Sequence, residues 1–229
     1  MKIGGLQKVS LIDYPAKISA VVFSQGCNFR CPYCHNPELV NPDLYGPCIA
    51  EEEILAFLAK RRGKLDAVSI SGGEPTVQPD LAEFIKELKA KDFLVKIDTN
   101  GSNPELLEKL IKDKLIDYIA MDIKGPLARY GEITGTRVQP EVIKRSIKAV
   151  MSSGIPYEFR TTVVKALLRE DDILEIGKLI KNARLYALQS FAASKHLDME
   201  CLRQTHYCKE ELLSMKAKLD KEILSVVVR

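Results

Sequence analysis

The stretch Ile18-Ser-Ala-Val-Val-Phe-Ser-Gln-Gly-Cys-Asn-Phe-Arg-Cys-Pro-Tyr-Cys-His-Asn36 sets the reading of the chain. Its first part, Ile18 to Ser24, is apolar and β-branched and predicts a strand. Its second part carries Cys27, Cys31 and Cys34 in the spacing Cys-x3-Cys-x2-Cys. Three thiolates can hold three corners of a four-iron cluster, and with no fourth cysteine in the same loop one iron keeps an open site for a small molecule. In α/β barrels, active sites are built from the loops beyond the strands' C-terminal ends, where these cysteines fall.

Outward from this stretch, apolar runs alternate with amphipathic ones, the pattern of repeated βα units over a parallel sheet. Further strands are predicted at Ala67 to Ser71, Leu94 to Thr99, Tyr118 to Asp122, Tyr157 to Val164 and Tyr186 to Phe191. Leu81, Phe84, Ile85 and Leu88 recur at helical spacing, with Asp80 and Glu83 placed as a capping box, and Leu106, Leu107, Leu110 and Ile111 repeat the stripe behind Pro104. Helices are also expected from about Glu51 to Arg62, Pro140 to Ser153, Asp171 to Asn182 and Lys209 to Leu219, and Ile223 to Val228 reads as an apolar packing segment. About six units fall short of the eight that close a full barrel over about 250 residues. The fold class is therefore α/β, a partial, open TIM-type barrel whose lateral gap could admit a large substrate.

The other unusual residues also fall at strand ends. Ser71-Gly-Gly-Glu-Pro75 follows the second strand, where Gly72 and Gly73 can let the backbone approach a ligand closely. Asp98-Thr-Asn-Gly101 ends the third strand and Met121-Asp-Ile-Lys124 the fourth, placing carboxylates and an ammonium where a zwitterionic ligand would meet them. Arg160 lies on the fifth strand, and Gln189 and Phe191 on the sixth.

Taken with Ser10-Leu-Ile-Asp-Tyr-Pro15, these words resemble the radical S-adenosylmethionine superfamily. Within it they resemble the glycyl-radical-enzyme activases, most of all the anaerobic ribonucleoside-triphosphate reductase activating proteins. The resemblance covers nearly the whole chain and implies a [4Fe-4S] cluster, S-adenosylmethionine and hydrogen abstraction from a glycine of anaerobic ribonucleotide reductase or another glycyl-radical enzyme. It also implies an electron donor such as flavodoxin or ferredoxin. Carried over by resemblance, Cys27, Cys31 and Cys34 ligate the cluster, and the Tyr33 backbone contacts adenine. Gly72, Gly73 and Glu74 receive the methionyl amino group, and Arg160 faces its carboxylate. The positions matching Asp98, Thr99 and Asp122, with the Ala120 carbonyl, bind a monovalent cation in a relative, the pyruvate formate-lyase activase. A 7-carboxy-7-deazaguanine synthase-like enzyme, needing magnesium, is the alternative within the superfamily, and a zinc-stabilised binding module the alternative outside it.

Composition sets the remaining bounds. The 229 residues are 46% hydrophobic, which suits a single domain over 1–229 with a substantial core. The net charge of +3 is scattered and gives no ground for a nucleic-acid partner. Met1 to Ala20 has no apolar core of signal-peptide length, and the longest apolar runs are far below the ~20 residues that cross a bilayer. A cytoplasmic enzyme without a membrane partner is expected, and in that compartment the six cysteines stay reduced, so a tight trio points to metal. Plainer readings stand beside these. Structural zinc usually shows two cysteine pairs, or a cysteine pair with a histidine pair. Cys48 could close the cluster as a further ligand, Asp98 and Asp122 could cap helices, and Arg160 could pair with a helix carboxylate. Cys201, Cys208, His196 and His206 match no ligand spacing.

Overall fold

The computed structural model describes residues 1–191 and 206–229. Among these, eight strands form one sheet in chain order: β1 (Ile3–Ser10), β2 (Ser19–Ser24), β3 (Ala67–Gly72), β4 (Leu94–Thr99), β5 (Tyr118–Asp122), β6 (Tyr157–Val163), β7 (Tyr186–Ser190) and β8 (Val226–Val228). β1 runs antiparallel to β2, and every later neighbouring pair is parallel. β1 and β8 are the two edges, so the barrel is open. The helices are α1 (Pro37–Val40), α2 (Glu51–Ala59), α3 (Leu81–Lys89), α4 (Pro104–Lys112), α5 (Tyr130–Thr134), α6 (Pro140–Ser152), α7 (Glu170–Leu179) and α8 (Lys209–Leu219). None among the described residues is long and apolar enough to cross a membrane.

The predicted strands are β2 to β7. Val21, Val22, Val68, Ile70, Val95 and Ile97 are fully buried, as strands covered on both faces require. Two strands escape the pattern. β1 reads Ile-Gly-Gly-Leu-Gln-Lys-Val-Ser, with paired glycines and a lysine that blur alternation. The segment read as packing, Ile223 to Val228, supplies β8, whose residues Val226 to Val228 pair in register with Tyr186 to Leu188. The capping box at Asp80 is a second correction. Asp80 makes no side-chain cap to α3; it lies 2.5 Å from the Met1 ammonium, which also meets Glu51 at 2.7 Å. A full opposite charge outcompetes a backbone N–H for that carboxylate.

The chain between β1 and β2 crosses the N-terminal ends of the parallel strands. Tyr14 is buried there with its ring 5.7 Å from that of Tyr118, and Ser69 Oγ donates to the Asp13 carbonyl at 3.3 Å. That end is thereby shut, and the chemistry-bearing residues gather at the other.

Candidate active site

A cavity of about 390 Å³ opens at the C-terminal ends of the strands, large enough for a nucleoside-sized ligand. Cys27, Cys31 and Cys34 share its wall with Glu74, Lys124 and Arg160, so residues far apart in the chain converge as the sequence predicted.

The cysteine loop is held from two sides. Gly73 N donates to Ser24 O at 2.9 Å and Glu74 N to Gly26 O at 2.8 Å. A Cβ on Gly73 would stand 2.0 Å from the Gly26 carbonyl oxygen. The close backbone approach read from the Gly-Gly pair is thus made to the cysteine loop itself. On the far side Arg30 N donates to Thr134 O at 2.8 Å, and Gly135, at φ +62°, leaves room for the Arg30 carbonyl, which a Cβ would meet at 2.6 Å. Phe29 packs edge-on to Tyr130 with ring centroids 6.3 Å apart.

Burial pushes the Cys27 thiol up to about 12, with the Glu74 charge adding to the shift. Burial likewise lifts Cys31 to about 11 and raises Cys34, while the Lys124 ammonium works the other way on both. Bare thiolates are disfavoured here, and a cationic centre sharing their charge removes that penalty. Among the described residues no three His, Cys, Asp or Glu side chains converge on one metal ion. A single zinc draws its ligands onto one ion, whereas a four-iron cube takes each thiolate on a separate iron, and three thiols on one cavity wall are a donor set for the cube.

Opposite charges alternate across β4, β5 and β6. Asp98 accepts from Arg160 Nη1 at 3.2 Å, from Ser71 Oγ at 3.1 Å and from Lys96 Nζ. Asp122 accepts from Arg160 Nε at 2.8 Å and from Lys124 Nζ at 3.0 Å. Burial works to raise the Asp122 carboxyl, but the charges of Arg160 and Lys124 outweigh it and hold the group well below the usual carboxylate range. Asp98 is lowered for the same reasons, by Arg160 and then Lys96. Burial would lower the Lys124 ammonium, and Asp122 raises it well above the ordinary value. Lys96, Lys124 and Arg160 balance the two carboxylates without the monovalent cation that the resemblance implied. The two aspartates are not helix caps. Arg160 has carboxylate partners, on strands rather than a helix, and its guanidinium still lines the cavity.

Glu74 is almost wholly buried. Its Oε1 accepts from Thr76 N at 3.0 Å, Thr76 Oγ1 at 2.6 Å and Thr99 Oγ1 at 2.7 Å, and Oε2 accepts from Asn100 N at 2.6 Å. The carboxylate thus ties the ends of β3 and β4 together, and Oε2 keeps acceptor capacity toward the cavity. Tyr33 lies in the cavity wall, and its buried Oη has no hydrogen-bond partner among the described residues. Cys48 is exposed, donates to Gln25 Oε1 at 3.3 Å and takes no part in the wall, so it sits as a surface thiol rather than a cluster ligand. Cys201 and His196 lie outside the described residues; Cys208 is exposed before α8, and the His206 ring lies 5.1 Å from Phe191. Lys96, 2% exposed, pairs with Asp98, and Asn100 lines the cavity; neither has an assigned role in the sequence reading.

Comparison with known proteins agrees with this geometry. Residues 21–181 match the model of the radical SAM superfamily. A protein of Methanocaldococcus jannaschii named "Putative glycyl-radical enzyme activating enzyme" is 40% identical over 99% of this chain and 95% of its own length. The pyruvate formate-lyase-activating enzyme of Clostridium pasteurianum is 32% identical over 80% of this chain and 77% of its own. The crystal structure of Streptococcus suis SuiB bound to S-adenosylmethionine shares the fold, with a TM-score of 0.71 at 16% identity over 91% of this chain and 49% of that one. A cavity ringed by three thiols at the open end of a partial barrel, together with these matches, places the chain in the radical SAM superfamily and, within it, among the glycyl-radical enzyme activating enzymes.

Proposed function

We propose that Cys27, Cys31 and Cys34 hold the [4Fe-4S] cluster and that the enzyme installs a glycyl radical on anaerobic ribonucleotide reductase. Soft donors for iron share one wall with both charge signs that a methionyl group needs, and this single observation carries the reading. Held by Cys27, Cys31 and Cys34, a reduced cluster would supply the electron for cleaving the carbon–sulfur bond of S-adenosylmethionine, the chemistry that would lead to removal of a glycine Cα hydrogen.

The chain's own residues bind and orient. The Gly72 and Gly73 backbone and Glu74 Oε2 receive the ammonium, Arg160 with Lys124 receives the carboxylate, and the Tyr33 backbone meets adenine. Cationic partners already in place around Asp98 and Asp122 need no reorganisation as the ligand enters. The open side of the barrel gives a glycine-bearing loop its path to the site. The electron comes from a low-potential donor of the flavodoxin or ferredoxin class, and we place the enzyme in the cytoplasm. Relatives named for activating glycyl-radical enzymes match most of the chain, which favours a protein glycine over a deazapurine precursor as substrate.

The test is an anaerobic preparation reconstituted with iron and sulfide, reduced in the presence of S-adenosylmethionine and mixed with anaerobic ribonucleotide reductase. Cleavage to 5′-deoxyadenosine and a glycine-centred doublet in the electron paramagnetic resonance spectrum are expected. Cleavage without a doublet, when another glycyl-radical enzyme does give one, rejects the partner and keeps the chemistry. Full cluster content in Cys31→Ala rejects the ligand set.

A further inference from the structure

An amide network joins the cysteine loop to the loop after β4, and the proposed reaction makes no use of it. Asn100 Oδ1 accepts from Ser102 N at 2.9 Å, which fixes the amide so that Nδ2 turns to the cysteine loop. Nδ2 lies 3.0 Å from Asn28 Oδ1 and 4.0 Å from Cys27 Sγ. Asn28 Nδ2 returns the contact by donating to Ser102 Oγ at 2.8 Å. Asn100 is buried, and its backbone N–H is pinned on Glu74 Oε2 at 2.6 Å. A backbone donor, Phe29 N, reaches the same sulfur at 3.4 Å.

Resting on the reading that Cys27 ligates the cluster, we infer that Asn100 is a positioning residue that raises the cluster's reduction potential by donating Nδ2–H to Cys27 Sγ. Reduction adds one electron from the external low-potential donor, and part of that negative charge falls on the ligand sulfurs. A donor aimed at a sulfur stabilises the reduced cluster more than the oxidised one, and hydrogen bonds to sulfur are among the levers that set such potentials. Ser102 and Glu74 hold the amide in place before any ligand arrives. The effect therefore belongs to the enzyme alone and needs no S-adenosylmethionine.

The experiment is a potentiometric titration of the reconstituted full chain without S-adenosylmethionine, followed by the electron paramagnetic resonance signal of the reduced cluster. At a potential near the wild-type midpoint, Asn100→Ala should hold roughly threefold to tenfold less reduced cluster relative to oxidised, tenfold being 59 mV for one electron. Asn100→Asp keeps the acceptor for Ser102 and replaces the donor with a carboxylate, so its midpoint should fall at least as far. Asn28→Ala releases the clasp and leaves the donor, and its midpoint should hold. An unchanged midpoint in both Asn100 variants at full iron content overturns the inference and spares the ligand reading. An equal shift in Asn28→Ala, or loss of the cluster from both Asn100 variants, makes the residue structural and overturns it too. Full iron content in Cys27→Ala removes the ligand reading beneath it.

Discussion

The two ends of this barrel close the same strands with opposite chemistry. At the N-terminal end Ala67 of β3, Leu94 of β4 and Tyr118 of β5 gather around Tyr14 in a small apolar cluster. At the C-terminal end Asp98 of β4 and Asp122 of β5 pair with Arg160 of β6, and Asp98 also takes Lys96 as an ion-pair partner and a hydrogen bond from Ser71 of β3. Apolar burial gains about 25 cal/mol per Å² and asks no special geometry. Buried charge loses hydration and is tolerated only where each group keeps an opposite neighbour. The difference separates the end that stabilises the fold from the end that the fold holds in readiness for a charged ligand.

The largest expected effect is on the open end. In Gly73→Ala a Cβ would fall 2.0 Å from Gly26 O, which is backbone and cannot swing aside. The cysteine loop must lift, at a cost above the ~1–3 kcal/mol of ordinary overpacking. Iron content after reconstitution should drop to a small fraction of wild type, while far-ultraviolet circular dichroism reports the sheet intact.

Arg160→Met and Tyr14→Ala form the next pair, similar in stability and different in everything else. Losing Arg160 leaves two carboxylates with one lysine each, a loss of about 3 kcal/mol, at the low end for breaking a buried ion pair. Tyr14→Ala removes an aromatic side chain from a nearly closed site, also about 3 kcal/mol. Each should lower Tm by about 10 °C at this chain length. Their pH dependence separates them. Asp98 and Asp122 lie below their unfolded value of about 3.9, so their contribution is full above it and is lost as pH falls through the lowered folded values. In Arg160→Met burial acts with less opposition and the carboxyls take up protons at higher pH. The deficit against wild type should be greatest near neutral pH and shrink towards pH ~4. The Tyr14→Ala deficit should stay flat over that range, and S-adenosylmethionine cleavage per folded molecule should fail only in Arg160→Met.

How much of this was readable in the chain differs between the ends as well. The cysteine trio, the Gly-Gly-Glu word and the strand-end aspartates could be placed because each sits just beyond a strongly apolar strand. Lys96 was also readable in principle: it stands two residues before Asp98, and strand alternation puts both on one face. A strand lysine reads as solvent-facing unless that pairing is noticed. The Glu74 contacts with Thr99 and Asn100, and the Asn100 contact with Cys27, join separate strands and leave no trace in local spacing. Asp80 misleads for a related reason, since its partner is the distant Met1 ammonium. β1 was hidden because its pairing with β2, rather than its own glycine-rich sequence, makes it a strand.

The smallest expected effect tests the closed end at its tip. Leu11 and Ile12 are 72% and 89% exposed, so their side chains add little to the cluster beneath them. The turn that carries them is held by Ser10, whose Oγ accepts from Ile12 N and Asp13 N at 3.2 Å each and donates to the Asp13 carboxylate. A Leu11→Ser, Ile12→Ser double variant should therefore stay within ~0.5 kcal/mol of wild type per site and cleave S-adenosylmethionine at the wild-type rate. Ser10→Ala unties the turn and should cost about 1 kcal/mol, again without touching cleavage. Thermal melts set against cleavage rates decide the matter, because the two ends share β3, β4 and β5. If the double variant lost cleavage while keeping its Tm, those strands would be carrying a signal between the ends, and the division of labour between them would fail.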